Sequence, residues 1–454
     1  MRSLLITAAL LLLLPMTSLA EVSEYQLDNG LKLIVKEDHR APIVVSQVWY
    51  KVGASYEPGG VTGISHALEH MMFKGTKTLA PGEYSRIIAA NGGRENAFTS
   101  RDYTAYHQTL SADRLEVAFR LEADRMRNLT LSAEEFAKEI EVVKEERRLR
   151  TEDKPTALTY EQLTAVAYRN LPYANPVVGW MADLENMTVE DLAHWYRLWY
   201  APNNAILVVV GDVQSEQVLE LAKRYFGPLE AETIPLQKKR SEPLQRGVTR
   251  VKVRAPAREP YLIFGFKTPV VGSSEEAWEP YALEMLASVL DGGSSARLSK
   301  NLIRGREIAV SAGAGYSAFS RLPGMFLVDG TPAPGKDMAM LEAALLDEID
   351  TLKRDLVSEK ELQRIATQVV AGKVYELDSV FAQALLIGRL EAINLDWKLA
   401  LEYVERIKQV TPEQVRAVAI KYLVSDNMTL AALDPLPLDD NTANNKGDGY
   451  GRHQ

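Results

Sequence analysis

Two histidines and a glutamate in the segment GISHALEHMMFKGT (Gly63–Thr76) have the spacing of metal-binding residues. We expect this segment to form a helix that continues to about Phe73. His66, Glu69 and His70 then lie on one face, because positions i, i+3 and i+4 are neighbours on a helix. Two neutral imidazoles one turn apart can occupy adjacent positions of a tetrahedral zinc site. The alternative interpretation is a partly buried helix whose histidines are satisfied by ordinary hydrogen bonds.

A third metal ligand is expected from a second helix. A catalytic zinc site takes three protein ligands and keeps one position open. Because the chain has no cysteine, that ligand is a carboxylate or another histidine. The segment Ala133–Arg150 has a helical pattern with an apolar seam, and Glu139 and Glu146 fall on that seam. Glu141 and Glu145 fall on the opposite side, where solvent would satisfy them. A carboxylate in an apolar seam needs a partner such as a metal, which leaves Glu139 and Glu146 as alternatives.

The helices that carry these residues belong to a pattern of strands and helices that occurs twice. Thr188–Leu192 is similar to Thr411–Val415, and the strand-like run 206–210 is similar to 429–433. We therefore predict an α+β fold of two homologous mixed α/β domains joined by a linker. The helix of the second copy that corresponds to the histidine helix, Pro280–Gly292, has no histidine. Packing alone therefore does not explain the histidines of the first copy.

Domain boundaries follow from changes in composition along the chain. We assign residues 21–229 to an N-terminal zinc-binding domain and residues 248–436 to a homologous C-terminal domain without the metal site. The polar, proline-containing stretch 230–247 is predicted to be the linker. The polar tail 437–454 is expected to be disordered.

The first twenty residues have the features of a signal peptide, which we place at 1–20. Arg2 is followed by the apolar run Leu4–Leu14 and by the small-residue cleavage site Ser18–Ala20. The apolar run is short for a bilayer span, so we expect no stable membrane anchor. An exported chain without cysteine is typical of the bacterial periplasm, and secretion from the cell is the alternative.

Charge and cysteine content exclude several classes of function. The formal net charge of the 454 residues is −9, and loss of Arg2 with the signal would make it about −10. Acidic and basic residues are interspersed without a basic stripe, so nucleic acid is not an expected partner. The absence of cysteine excludes disulfides, zinc–thiolate sites and a cysteine nucleophile.

The string His66-Ala67-Leu68-Glu69-His70 is the inverted zinc motif of the inverzincins. With it, the chain resembles the pitrilysin-type zinc metallopeptidases, in the short branch that is similar to the mitochondrial processing peptidase and to bacterial zinc proteases. The resemblance spans both halves of the chain and implies the LuxS/metallohydrolase-like architecture of that family. It implies that Glu146, 76 residues beyond His70, is the third zinc ligand, and that Glu139 has a supporting catalytic role.

The resemblance also implies how a substrate is bound. The segment NAFTS, which begins with Asn96, Ala97 and Phe98, is similar to the edge strand that binds substrate in this family. A peptide would add to that edge through backbone hydrogen bonds, which allow varied sequences to be gripped. The expected substrates are therefore peptides or unfolded polypeptide segments.

The expected activity is that of an exported zinc-dependent endopeptidase with one zinc ion per chain. Zinc lowers the pKa of a water molecule and polarises the scissile carbonyl. Glu69 is too close to His70 to be an easy fourth ligand, so it is assigned as the general base that activates the water. The alternatives are a scaffold or binding subunit without turnover and a metal-dependent peptide carrier. The presence of all four key residues, Glu69 among them, favours catalysis.

One departure from the family concerns the second domain. The family places an arginine and, seven residues later, a tyrosine there to hold the substrate and its oxyanion. Arg304 matches the arginine, whereas the tyrosine position is Ser311. Tyr316, five residues further, would face the other side of a strand. Either the chain works weakly alone, or a partner chain supplies a complete arginine–tyrosine pair. We favour the second explanation and expect a dimer, either a homodimer or a heterodimer with a homologous chain that carries the pair. The alternative role of Arg304 is a surface salt bridge.

Overall fold

The computed structural model describes residues 22–438. The signal peptide predicted at 1–20 lies outside that range, as does the predicted disordered tail apart from its first two residues. The described chain forms two successive units of mixed strands and helices, so the predicted α+β class with two similar domains is confirmed. Within residues 22–438, no helix combines the length and apolar character needed to cross a bilayer.

The first unit (residues 22–225) contains six strands and eight α-helices. Its strands are β1 (Val22–Gln26), β2 (Lys32–Glu37), β3 (Ile43–Tyr50), β4 (Arg94–Thr99), β5 (Thr104–Ser111) and β6 (Ala205–Gly211). Its helices are α1 (Ile64–Met71), α2 (Glu83–Ala90), α3 (Leu115–Asn128), α4 (Ala133–Arg147), α5 (Pro155–Ala167), α6 (Met181–Asn186), α7 (Val189–Trp199) and α8 (Ser215–Tyr225). A π-helical turn, Arg148–Glu152, extends α4.

The second unit (residues 249–436) contains five strands and six α-helices. Its strands are β7 (Thr249–Pro256), β8 (Tyr261–Thr268), β9 (Ala309–Gly315), β10 (Gly324–Pro332) and β11 (Met428–Leu436). Its helices are α9 (Glu279–Asp291), α10 (Met338–Arg354), α11 (Glu359–Glu376), α12 (Val380–Ala392), α13 (Leu399–Lys408) and α14 (Pro412–Tyr422). The segment 226–248 between the units has neither helix nor strand.

The two sheets repeat one topology. The first has the order β1-β2-β6-β3-β5-β4 and the second has the order β7-β11-β8-β10-β9. If β1 is left out and the five strands of each sheet are counted in chain order, both sheets have the order first, fifth, second, fourth, third. In both sheets the first and last strands of that set are parallel and the remaining pairs are antiparallel. The sequence similarity between the two halves thus corresponds to a repeated fold.

Each sheet is covered on one face by a helix from the other unit. The central strand AILVVVG (β6) is buried along its whole length, as expected for a strand with both faces covered. Leu207 and Val209 pack against helices of the first unit. Val208 packs on the other face with Ala384 and Ile387 of α12. In return, α5 packs on the second sheet. Such burial contributes about 1.5–3 kcal/mol for each large apolar side chain.

One detail differs from the sequence prediction. Helix α1 ends at Met71 rather than Phe73, because the chain turns away towards Gly75, whose φ of 106° is left-handed. At the start of α4, the Ser132 side chain accepts the Glu135 N–H at 3.1 Å. The Glu135 carboxylate pairs with Lys138 at 2.9 Å instead of returning to Ser132.

Candidate metal centre

Helix α1, which carries the histidines, has a fixed starting point. Glu57 is buried, and its two carboxylate oxygens accept the backbone N–H of Gly63 at 2.7 Å and of Ser65 at 2.9 Å. Gly63 has a left-handed φ of 86°, and a Cβ there would lie 2.4 Å from the Val178 carbonyl oxygen. Glycine is therefore required at this position, and the carboxylate satisfies N–H groups that a helix start leaves free.

Three ligand atoms from α1 and α4 converge. Glu146 Oε2 lies 3.5 Å from His66 Nε2 and 3.9 Å from His70 Nε2. One ligand atom from each of these residues can be chosen so that all three lie within 4.8 Å of one another. Ligand atoms about 2 Å from one tetrahedral zinc ion stand roughly 3.4 Å apart, which is close to these separations. The packing of α1 against α4 thus brings together the three residues that the sequence analysis proposed.

The chemistry of this group fits a metal ion. His66 is buried, and burial lowers its pKa to about 3, with His70 and Arg150 acting in the same direction. It is therefore neutral near pH 7, which is the form that binds metals. Glu146 Oε2 is buried without a well-oriented hydrogen bond, although Arg150 Nη1 lies 3.2 Å away. A buried carboxylate oxygen facing the ring nitrogens of two histidines is a donor set for zinc.

Glu69 lies next to this group and has a separate partner. Its Oε2 accepts a hydrogen bond from the Thr99 hydroxyl at 2.5 Å. Burial raises the pKa of Glu69, and the bond from Thr99 partly offsets that effect. A carboxylate with a raised pKa is a better proton acceptor, so the position suits a general base. Thr99 is the last residue of β4, so the bond joins α1 to the edge of the sheet.

Glu139 contacts His70 through the ring nitrogen that does not face Glu146. Its Oε2 lies 3.3 Å from His70 Nδ1, and its Oε1 pairs with Lys74 Nζ at 2.6 Å. A carboxylate on Nδ1 fixes the tautomer of the imidazole and leaves Nε2 free to face Glu146. The residue that competed with Glu146 on the apolar seam thus contacts a histidine rather than completing the ligand group.

The predicted substrate-binding residues lie on the outermost strand of the first sheet, because β4 pairs with β5 alone. Hydrogen bonds to β5 alternate along β4, and the N–H groups that point away include that of Ala97. The side chain of Asn96 accepts this N–H at 2.9 Å. Phe98 packs edge-on against Trp49, 5.5 Å between ring centroids, on the face opposite α1. A peptide that added to this edge would displace the Asn96 side chain.

Arg304 and Ser311 are not part of this group. Arg304 is exposed, donates to the Ser294 carbonyl, and lines an open recess of about 550 Å³ with Lys300 and Arg364, among other residues of the second unit. Ser311 lies exposed on β9. The hydroxyl of Tyr316 donates to the Pro269 carbonyl at 2.6 Å, so that phenol does not replace the missing tyrosine. The role of Arg304 in substrate binding stays a prediction.

Three contacts of the site were not predicted from the sequence. They are the bond from Thr99 to Glu69, the pairing of Lys74 with Glu139 and the approach of Arg150 to Glu146. Arg150 could have been found, since it stands four residues after Glu146 on a helical pattern. The other two contacts depend on how strands and helices pack.

Comparison with known proteins agrees with the fold. The family described as "Insulinase (Peptidase family M16)" matches residues 32–179, and "Peptidase M16 inactive domain" matches residues 186–369. The zinc protease PqqE of Helicobacter pylori is 30% identical over 424 residues, which cover 90% of this chain and 92% of that protein. The chain therefore belongs to the M16 peptidase family.

Solved structures show the same architecture. A protease from Helicobacter pylori is 30% identical, with a TM-score of 0.86 over 92% of this chain and 100% of that one. The periplasmic protease PqqL from Escherichia coli is 19% identical, with a TM-score of 0.77 over 92% of this chain. This chain spans 49% of PqqL, so that similarity concerns the fold. The two family models match the two halves of the present chain in succession, the insulinase model first and the inactive-domain model second.

Proposed function

We propose that this chain is an exported zinc-dependent endopeptidase that hydrolyses peptides or unfolded polypeptide segments. One zinc ion per chain would be held by His66, His70 and Glu146. The observation that carries the proposal is the convergence of these three residues beside Glu69, a carboxylate that remains outside the ligand group. Binding alone needs no such base, whereas hydrolysis does.

The chain's own residues divide the work of hydrolysis. When bound, zinc would supply a Lewis acid that polarises the scissile carbonyl and makes water more acidic. Glu69 would accept a proton from the attacking water as the new C–O bond forms. It would pass that proton to the amine nitrogen as the C–N bond breaks. Thr99 holds Glu69 in place, and Glu139 keeps His70 oriented.

Substrate would bind as an added strand on β4. This edge carries backbone groups that pair with no other strand, and it lies beside Glu69, because Thr99 contacts that carboxylate. Backbone pairing is largely independent of side-chain identity, so it suits unfolded segments of varied sequence. The periplasm is the proposed location, supported by the signal-like residues 1–20 and by the periplasmic neighbour from Escherichia coli.

A second candidate is a partner-dependent peptidase subunit, in a homodimer or with an unlike homologous chain. It is favoured by Ser311, which has no phenol to bind an oxyanion, and by the separate recess around Arg304. In the arrangement with an unlike chain, that homologous chain would contribute the arginine–tyrosine pair, which a second copy of this chain lacks because it also carries Ser311.

The test is a paired assay of the purified chain and of Glu69→Gln. Zinc content is measured by elemental analysis, and cleavage of a mixed peptide pool is followed by mass spectrometry. We expect one zinc per chain in both proteins and cleavage by the native chain at least about a hundredfold faster than by the variant. Zinc in both without cleavage by either would favour the partner-dependent subunit. Absence of zinc from the native chain would refute the proposal.

A further inference from the structure

A loop of the second unit reaches into the first. Residues 316–323 connect β9 to β10, and Arg321 extends from this loop. Its Nε lies 3.2 Å from Asp102 Oδ1, and its Nη2 donates to the Ser55 hydroxyl at 2.6 Å. The guanidinium also lies over the ring of Tyr56, 4.2 Å from the centroid. One side chain of the second unit thus makes an ion pair, a hydrogen bond and a cation–π contact with the first.

The carboxylate that Arg321 binds is buried. Asp102 is 4% exposed and also accepts hydrogen bonds from the Ser55 hydroxyl and the Tyr173 hydroxyl. The next residue of the loop, Leu322, donates its N–H to Tyr173 at 3.2 Å. Removing one partner of a buried ion pair leaves an uncompensated charge, which costs far more than loss of an exposed pair. The contact therefore joins the two units through a buried charge, which we call the junction.

The junction is joined directly to the peptide-binding edge. Asp102 lies in the turn between β4 and β5. In that turn, the Ser100 carbonyl accepts the Ala54 N–H at 3.1 Å, and the Arg101 carbonyl accepts the Ser55 N–H at 2.6 Å. The residue that precedes this turn is Thr99, which donates to Glu69. A shift of Asp102 would therefore move the end of β4 and the partner of the general base together.

The same junction supports the start of the histidine helix. Ser55 and Tyr56, which contact Arg321, precede Glu57 in the chain. Glu57 binds the backbone N–H of Gly63 and Ser65 at the start of α1. The loop 53–57 therefore links Arg321 to the start of α1 and, through the turn between β4 and β5, to the end of β4.

The loop that carries Arg321 is fixed within its own unit. Arg389 of α12 donates to the Ser317 hydroxyl at 3.1 Å and to the Phe319 carbonyl at 2.9 Å. The Tyr316 hydroxyl is bound to the Pro269 carbonyl. The loop that carries Arg321 is thus bound at several points to its own unit, as the support of a positioning group requires.

We propose that Arg321, from the unit that matches an inactive domain, is a positioning residue for the metal centre and the peptide-binding edge of the first unit. The inference deepens the proposed function and rests on it for its catalytic part. Arg321 touches neither a metal ligand nor Glu69, so it acts through Asp102 and the loop 53–57. The second unit then contributes to hydrolysis by fixing the end of β4 and the start of α1 relative to each other.

The experiment compares Arg321→Gln, Arg321→Lys and a control, Lys32→Gln, in the full chain. Lys32, on β2, forms another ion pair between the units, with Glu391 of α12 at 2.8 Å. This pair lies outside the network of Arg321. Hydrogen exchange is measured on the metal-free proteins, so that this readout does not depend on activity. The values of kcat and KM are measured on the zinc-loaded proteins.

We expect Arg321→Gln to raise exchange about tenfold in residues 53–65 and 94–104, and to lower kcat/KM by about tenfold or more through both kcat and KM. Arg321→Lys, which keeps the charge, restores part of both effects. Lys32→Gln leaves both within about twofold of the native chain. Unchanged exchange in the two segments, or equal effects of Lys32→Gln, would overturn the inference. If the native chain cleaves no peptide, the proposed function fails and the exchange data alone decide whether Arg321 orders these segments.

Discussion

Neighbouring glutamates on α4 have different surroundings. Glu146 turns inwards to the two histidines, whereas Glu145 is exposed and pairs with Arg148 at 3.1 Å. The two glutamates are consecutive residues of the same helix, so they differ mainly in what surrounds them. They therefore form a matched pair for testing the ligand group.

We predict that Glu146→Gln weakens zinc binding by well over a hundredfold, because an amide oxygen carries no charge and binds zinc poorly. Glu145→Gln should leave zinc binding unchanged, since exposed ion pairs of this kind contribute about 0–1 kcal/mol. Competition titration against a chromophoric zinc chelator measures both affinities. Equal affinities of the two variants would exclude Glu146 as a ligand.

Glu139 should affect metal affinity without being a ligand. Glu139→Gln removes the charge that orients His70 and faces Lys74, and we expect zinc affinity to fall about 10–100-fold. The same titration checks this effect against Glu141→Gln, an exposed glutamate two residues further along α4. A loss as large as that of Glu146→Gln would instead make Glu139 a ligand, the alternative that the apolar seam left open.

At the scale of elements, the start of α1 depends on one buried carboxylate. Burial raises the pKa of Glu57 to about 7 from an ordinary value of 4.5, although two backbone N–H groups stabilise its charge. Between these pH values the folded protein holds a proton that the unfolded chain releases. The free energy of unfolding contributed by this group is therefore greatest below pH 4.5 and is lost as the pH rises to about 7.

We predict that Glu57→Gln flattens the dependence of stability on pH. The contribution removed has a slope of up to about 1.4 kcal/mol per pH unit between pH 5 and 7. Urea unfolding at pH 5, 6 and 7 gives the change of the free energy of unfolding with pH for the native chain, for Glu57→Gln and for the exposed control Glu145→Gln. Parallel curves for the native chain and Glu57→Gln would contradict the assignment.

The sequence predicted the residues of the site better than it predicted the contacts between the elements that carry them. The positions of His66 and His70 follow from helical periodicity alone, and the third ligand was narrowed to Glu139 or Glu146 by the apolar seam. The bond between Thr99 and Glu69 could not be predicted, because it depends on where the end of β4 meets α1 in three dimensions. For the same reason the supporting role of Glu57 carried no local signal.

At the scale of the molecule, the repeat was visible in sequence but the exchange of helices was not. Helix α12 belongs to the second unit by chain order and packs on the first sheet. Its apolar residues are compatible with either sheet, so the pattern alone does not decide between them. Gly388 marks the contact, since a Cβ there would lie 2.1 Å from Nε1 of the buried Trp49.

We predict that Gly388→Ala destabilises the protein, because the new methyl group displaces Trp49 or α12 and overpacking typically costs about 1–3 kcal/mol. Gly372→Ala on α11 is the matched control, since a Cβ there meets no atom within 4 Å. That change should stabilise its helix by about 0.5–1 kcal/mol. Thermal unfolding followed by circular dichroism measures both, and a melting temperature of Gly388→Ala at or above that of the native chain would show that α12 packs elsewhere.

The central claim is that α1 and α4 build one zinc site from His66, His70 and Glu146. Its most direct test is an anomalous difference map at the zinc absorption edge, from crystals of the protein grown with one equivalent of zinc. We predict one dominant peak per chain, within bonding distance of both Nε2 atoms and of a Glu146 carboxylate oxygen. A dominant peak elsewhere, or none at these three residues, would contradict the account.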